Sequence, residues 1–256
     1  IVAWNSLMIS GLARAATVFN NSEYLELAVN AANFIIENQW VDERFHRLNY
    51  EGKPTVMAQS EDYALFIKAL LDLQQASMTS SNTNYWLEIA VKLQDEFDNF
   101  LWSLEASGYY NSPRDVSGEL ILRERNYIDN ATPAANGIAV ANLVRLSLLT
   151  EELYYLDRAE SALTAFSSIM KKSPQACPSL FAALDWYRNQ TLVRTSEAEI
   201  SSLITQYFPT TIYKVEADLP KNSVGLVCQG LICKKPSLTK QELLEHLEQS
   251  QNRWAK

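Results

Sequence analysis

The sequence is poor in residues that break or staple a chain, with 7 glycines, 8 prolines, 3 cysteines and 2 histidines in 256 positions. Sparse Gly and Pro leave long stretches free to form helix. Three cysteines cannot build a disulfide scaffold, and the odd count suits a reducing compartment, so a cytoplasmic setting is expected. The two histidines, His46 and His246, lie far apart in the chain, and no Cys or His pair has conventional ligand spacing, so no metal is expected. No phosphate-cradling glycine motif or serine nucleophile elbow occurs, and no cofactor is expected. Basic residues are scarce as well. Twenty-two Lys and Arg against 30 Asp and Glu leave a net charge of −8, which disfavours a nucleic-acid partner. The longest nearly apolar run, residues 7–19, contains Arg14 and is too short to span a bilayer, so no membrane partner is expected.

What remains is helix-compatible globular sequence, 47% hydrophobic and 20% charged, enough to bury a sizeable core. Periodicity predicts helices over residues 3–20, 22–39, 60–77, 84–102, 133–150, 151–172 and 178–189. Ser22 reads as an N-cap, Glu61 and Asp62 suit the start of the third helix, and Pro133 fits the first position of the fifth. The chain starts without Met and inside the first helix, so a fragment of a longer protein is expected.

The helices alternate in character. The first, third and fifth carry 1, 4 and 1 charged residues, and the second, fourth and sixth carry 3, 5 and 7. The first set therefore reads as buried inner helices and the second as amphipathic covers. In the fourth, Trp86, Ile89, Ala90, Leu93, Phe97 and Phe100 are expected inward, with Glu88, Lys92, Asp95 and Asn99 outward. The links repeat too. Gln39-Trp40 leads through Arg44-Phe45-His46 to Tyr50-Glu51-Gly52-Lys53-Pro54, and Leu101-Trp102 leads through Gly108-Tyr109-Tyr110 to Ser117-Gly118-Glu119. Inner-helix starts near residues 3, 60 and 133 imply a repeat of roughly 57 to 73 residues, the signature of an array of α/α hairpins curved into a toroid. After residue 189 the character changes. Strands over 191–194, 211–215 and 224–228, a helix over 197–207 and a last helix capped by Thr239 with Glu242 at N3 make 191–256 a small α/β appendage to the toroid segment 1–190.

In such a toroid the entrances to the inner helices converge at one end. Three polar clusters stand there: Trp4-Asn5, Glu61-Asp62-Tyr63, and Asp129-Asn130 through Asn136. Carboxylates and amides beside aromatic rings suit a carbohydrate, whose hydroxyls need hydrogen bonds and whose C–H faces stack on rings. Two carboxylates across a pocket could act as acid and base on a glycosidic bond. The same residues have a structural alternative, in which Asp62 satisfies backbone N–H groups and Asp129 or Asn130 caps the fifth helix. Cys228 and Cys233 could be a redox pair, weak metal ligands or two buried small residues, and Cys177 reads as a packing residue.

Trp4-Asn5-Ser6-Leu7-Met8-Ile9, Glu61-Asp62-Tyr63-Ala64, Gly108-Tyr109-Tyr110, Asp129-Asn130-Ala131-Thr132-Pro133-Ala134-Ala135-Asn136 and Val227-Cys228-x4-Cys233-x2-Pro236 follow in that order. Together they resemble the C-terminal part of the thioredoxin domain-containing family that includes bacterial YyaL and the vertebrate spermatogenesis-associated thioredoxin-like proteins. The resemblance covers essentially the whole chain. It implies a mainly α fold, a partial (α/α)6 toroid of the six-hairpin glycosidase and sugar-epimerase type, and a thioredoxin-like domain earlier in the full-length chain as partner. The family tends to have Asp-Gly-Ala-x-Pro-Ser-x-Asn, whereas here Asn130 replaces the glycine and Ala134 the serine. The first change narrows the approach to a pocket and the second removes a hydroxyl.

Two functions follow. One is a carbohydrate-binding or carbohydrate-processing toroid, with Asp62 and Asp129 as acid and base, Asn5, Glu61, Tyr63, Asn130 and Asn136 holding hydroxyls, and Trp4 and Tyr109 stacking. The other is a non-catalytic scaffold that presents a partner or substrate to the thioredoxin-like domain. A centre filled by mutual hydrogen bonds would favour the second.

Overall fold

The computed structural model describes residues 1–79, 83–115 and 122–253, so the expected Ser117-Gly118-Glu119 connector lies outside the described residues. The chain runs through α1 (Val2–Phe19), α2 (Ser22–Gln39), a sheet of β1 (Trp40–Val41), β2 (Arg44–Tyr50) and β3 (Lys53–Met57), then α3 (Ser60–Ala76) and α4 (Thr83–Leu101). It continues with α5 (Ala135–Thr150), α6 (Tyr154–Lys172) and α7 (Pro178–Asn189). The architecture is mainly α.

Hydrophobic patterning explains the layering. α3 and α5 are buried nearly all round, while α2, α4 and α6 bury one stripe each. α3 packs on α1, α4 and α5, and α5 packs on α6 and α7, so α1, α3, α5 and α7 form an inner row. The inward and outward faces expected for α4 are the observed ones, except that Phe100 is half-buried and Glu96 and Asp98 are buried too. One core runs through the row, from Ile9 and Ala13 through Leu70, Leu143 and Val144 to Leu180 and Ala183.

Helix boundaries differ from the sequence pattern at three caps. Asn21, not Ser22, caps α2, its side chain accepting from the N–H groups of Glu23 and Tyr24. α5 begins at Ala135 rather than Pro133, because Ala134 stays extended while its N–H is held by Asp129. α6 begins at Tyr154, because Glu151 turns left-handed at the end of α5, with φ 66°. Its carboxylate is held there by Lys214 and Arg194, 63 and 43 residues away.

The second sheet has the order β5 (Thr211–Val215), β4 (Thr191–Thr195), β6 (Gly225–Gln229), β7 (Ile232–Cys233). β4 and β5 are parallel, joined through the short helix α8 (Glu197–Leu203), which ends before the expected 207; the other pairings are antiparallel. Strand alternation divides its faces. Leu192, Ile212 and Cys228 join the core of the helices. Val193, Tyr213 and Val227 face a second cluster with Ile200 and Leu203 of α8 and Leu243 and Leu247 of α9 (Lys240–Ser250).

Cys228 and Cys233 sit opposite each other on β6 and β7 and are joined by a disulfide, and Cys233 is exposed. This corrects the reading of two buried small residues. Cys177 is a buried free thiol. Thiol titration of the denatured chain should give one thiol without reductant and three after reduction, since the chain has one free cysteine and one disulfide. Three thiols in unreduced protein would contradict the bond.

Gly137, in the first turn of α5, lies directly against Ser179 in the first turn of α7. A Cβ there would lie 2.5 Å from Ser179 Cβ and 2.6 Å from its backbone carbon. Because the obstacle is backbone, Gly137→Ala is expected to cost about 2 kcal/mol or more, with a lower urea midpoint and an unchanged m-value.

Candidate functional site

The inner helices are parallel, and their N-termini gather at one end. Asp62, in the first turn of α3, accepts from Ala3 N–H of α1 at 3.2 Å. Asp129 accepts from Ala134 N–H, just before α5, at 2.5 Å and from Ser179 N–H of α7 at 2.6 Å. Farther along, Asn142 of α5 donates to the Ala64 carbonyl of α3, and Arg145 meets Asp72, in matching order along the two helices. The three polar clusters therefore lie at the entrances of one row.

Asp62 is fully buried. Its Oδ2 accepts from Gln59 N–H at 2.9 Å, closing a capping box, and from Arg47 Nη1 at 2.8 Å. Burial pushes its carboxyl above the ordinary range, against the opposing pull of the Gln59 N–H, Arg47 and the Ala3 N–H. Arg47 also binds Glu61 at 2.5 Å. Thus the β2 arginine is shared between both acids of the Glu61-Asp62 pair. Asn136 is fully buried, with Oδ1 accepting from Tyr109 N–H at 2.7 Å and Nδ2 donating to the carbonyls of Tyr109 at 2.9 Å and Asn126 at 2.8 Å.

The aromatic residues divide. Tyr63 and Tyr109 are fully buried on either side of Phe97, at ring separations of 5.0 and 3.8 Å. The Tyr63 hydroxyl donates to Glu96 at 2.6 Å, and the Tyr109 hydroxyl donates to Asp98 at 2.6 Å. Neither ring offers a face to a ligand. Trp4 does, being 62% exposed beside exposed Asn5, whose amide donates to the Ile1 carbonyl. Asn130 is exposed, its N–H bonded to the Thr132 carbonyl.

Sequence reasoning missed the buried acids that organise the surroundings. Glu96 accepts from Tyr63, Phe45 N–H and Trp40 Nε1; Asp98 accepts from Tyr109, Tyr154 and Gln94 and pairs with Arg158. A signal existed, because Glu96 falls three residues after Leu93 on the apolar stripe of α4. Among the described residues no group of three or more His, Cys, Asp or Glu could hold a metal ion, and no helix is long and apolar enough to cross a membrane.

Fold and site together define an array of α/α hairpins with a small sheet packed on it, its helix entrances braced by buried polar groups. Over 66% of this chain and 44% of its own length, a GH76 α-mannanase of Bacteroides thetaiotaomicron has a similar fold, with a TM-score of 0.51 and 16% identity. By sequence, three-quarters of the chain is homologous to spermatogenesis-associated protein 20, with 36% identity over 202 residues to the Rattus norvegicus protein and 34% to the Homo sapiens protein. An uncharacterised Caenorhabditis elegans protein is 29% identical over 96% of this chain and 37% of its own length. The chain spans about a quarter of the length of the rat and human relatives. No family model matches it.

Proposed function

We propose that the chain is part of the (α/α)6 toroid of a thioredoxin domain-containing protein, residues 1–190 supplying hairpins and 191–256 a capping α/β unit. Its role on this reading is that of a scaffold, holding a partner or substrate for a thioredoxin-like domain of the longer chain. Homology to spermatogenesis-associated protein 20 supports the placement. The apolar residues Trp4, Met8 and Val18, exposed along α1, are a surface that another part of such a chain would cover.

One observation carries the scaffold reading: the polar groups at the helix entrances are occupied by the protein itself. An acid–base pair must exchange protons with a ligand. Asp62 is instead closed in by two backbone N–H groups and Arg47, and Asp129 by the N–H groups of Ala134 and Ser179.

A second reading, a carbohydrate-binding toroid, is favoured by the exposed Trp4 indole beside Asn5 and by the fold shared with the α-mannanase. There Trp4 would stack on a sugar ring, and Asn5, Glu61 and Asn130 would meet its hydroxyls. Turnover would use Asp62 as acid and Asp129 as base once Arg47 swung away. A thermal-shift panel of mono- and oligosaccharides, α-linked manno-oligosaccharides included, separates the two. The scaffold reading expects no sugar to raise the melting temperature. A saturable rise that Trp4→Ala abolishes would overturn it and establish the sugar site.

A further inference from the structure

Opposite the polar entrances, at the C-terminal ends of the inner helices, a cavity of about 150 Å³ opens between α1, α3, α7 and the edge strand β5. Arg145 and Asp72 form its floor, Arg14 and Thr17 stand at its side, and Ala13, Val18, Ala76 and Ile212 give it apolar walls. Trp186 lines it as well, its ring 5.9 Å from the Arg145 guanidinium carbon.

The charge around it does not balance. Asp72 is the shared acceptor for three cations: Arg145 at 2.8 Å, Lys68 at 2.7 Å and Arg14 at 3.8 Å. Of these, Arg145 and Arg14 line the cavity with Asp72, two positive charges against one negative in a chain whose net charge is −8. Arg145 is almost wholly buried, and its Nε has no hydrogen-bond partner. Arg14 touches Asp72 loosely and is more than half exposed, so its guanidinium is free to close on a ligand from the mouth.

Size and lining narrow the ligand. A cavity of about 150 Å³ with apolar walls accommodates a body the size of benzene. A planar guanidinium matches a carboxylate in geometry. We propose that this cavity is a binding site for a small organic carboxylate, its oxygens toward the guanidinium groups of Arg145 and Arg14 and its apolar body against Ala13, Ile212 and Trp186.

Benzoate is the probe, tested by saturation-transfer NMR and thermal shift on the whole chain, with benzamide and inorganic phosphate in parallel. Arg14→Gln removes the exposed cation without disturbing the buried Arg145–Asp72 pair. The proposal expects saturable benzoate binding, none by benzamide or phosphate at equal concentration, and about fivefold weaker benzoate binding in Arg14→Gln. Absence of benzoate binding overturns it. So does benzamide binding equally well, which would mean an apolar cavity alone, or phosphate binding equally well, which would mean bare charge. Benzoate affinity unchanged in Arg14→Gln also overturns it.

Discussion

Asp72→Asn is expected to lower folding stability by about 3–5 kcal/mol, because it leaves buried cations without their counter-charge. Asp72 Oδ1 holds Arg145 of α5, and Oδ2 holds Lys68 on its own helix, so one carboxylate joins two inner helices. Urea unfolding followed by far-UV circular dichroism would show the loss as a lower midpoint at constant m-value. The pH dependence has a definite sign. Burial alone would raise the Asp72 carboxyl, but Arg145, Lys68 and Arg14 together hold it well below the usual carboxylate range. Its folded value is thus below its unfolded value of about 3.9, and the stability it contributes is complete above about pH 5. That contribution is lost as the pH falls through 4 and below. Asp72→Asn should lack this part of the acid limb, and a variant with an undiminished acid limb would contradict the assignment.

The second large effect is expected at Asn136. Asn136→Leu leaves Tyr109 N–H and the carbonyls of Tyr109 and Asn126 without their amide partner. Each buried group left unpaired costs roughly 1–3 kcal/mol, so a loss of about 3 kcal/mol or more is expected for the three. The damage should spread to the Tyr109 ring, which stacks on Phe97 and packs edge-on against Trp102. Near-UV circular dichroism should weaken at denaturant concentrations where the parent chain is still native. An intact aromatic spectrum and an unchanged midpoint would show that Asn136 is not a brace.

Much of the helical layering was readable in the sequence because it follows from local composition. Few charges on the helix around residue 140, and a wide polar face on that around 92, dictate which surfaces leave water, whereas the helix around residue 10 has as few charges yet leaves Trp4, Met8, Val18 and Phe19 exposed. Of the two expected links, the first forms the strands after Trp40, while the second shows only a Trp102–Tyr109 bridge among the described residues; Asp62 and Asp129 do stand at helix entrances. The destinations of the polar groups were not readable. Asp129 precedes α5, yet it also holds the N–H of Ser179, 50 residues on. Arg47 showed no pattern that pointed to Asp62. Glu151 lacks the glycine signal of a left-handed cap and is held by Lys214 and Arg194 of the later sheet. Periodicity assigns a residue to a face; it does not say which partner waits there.

Asp129→Ala tests the central claim, that the polar residues at the helix entrances brace the fold. The substitution removes the acceptor for Ala134 N–H and Ser179 N–H together, untying the starts of α5 and α7. Each lost cap costs about 0.5–2 kcal/mol, so equilibrium urea unfolding should show a loss of about 1–4 kcal/mol. A midpoint within about 0.5 kcal/mol of the parent, the spread of an ordinary surface substitution, would contradict the account and return Asp129 to the role of a group held ready for a ligand.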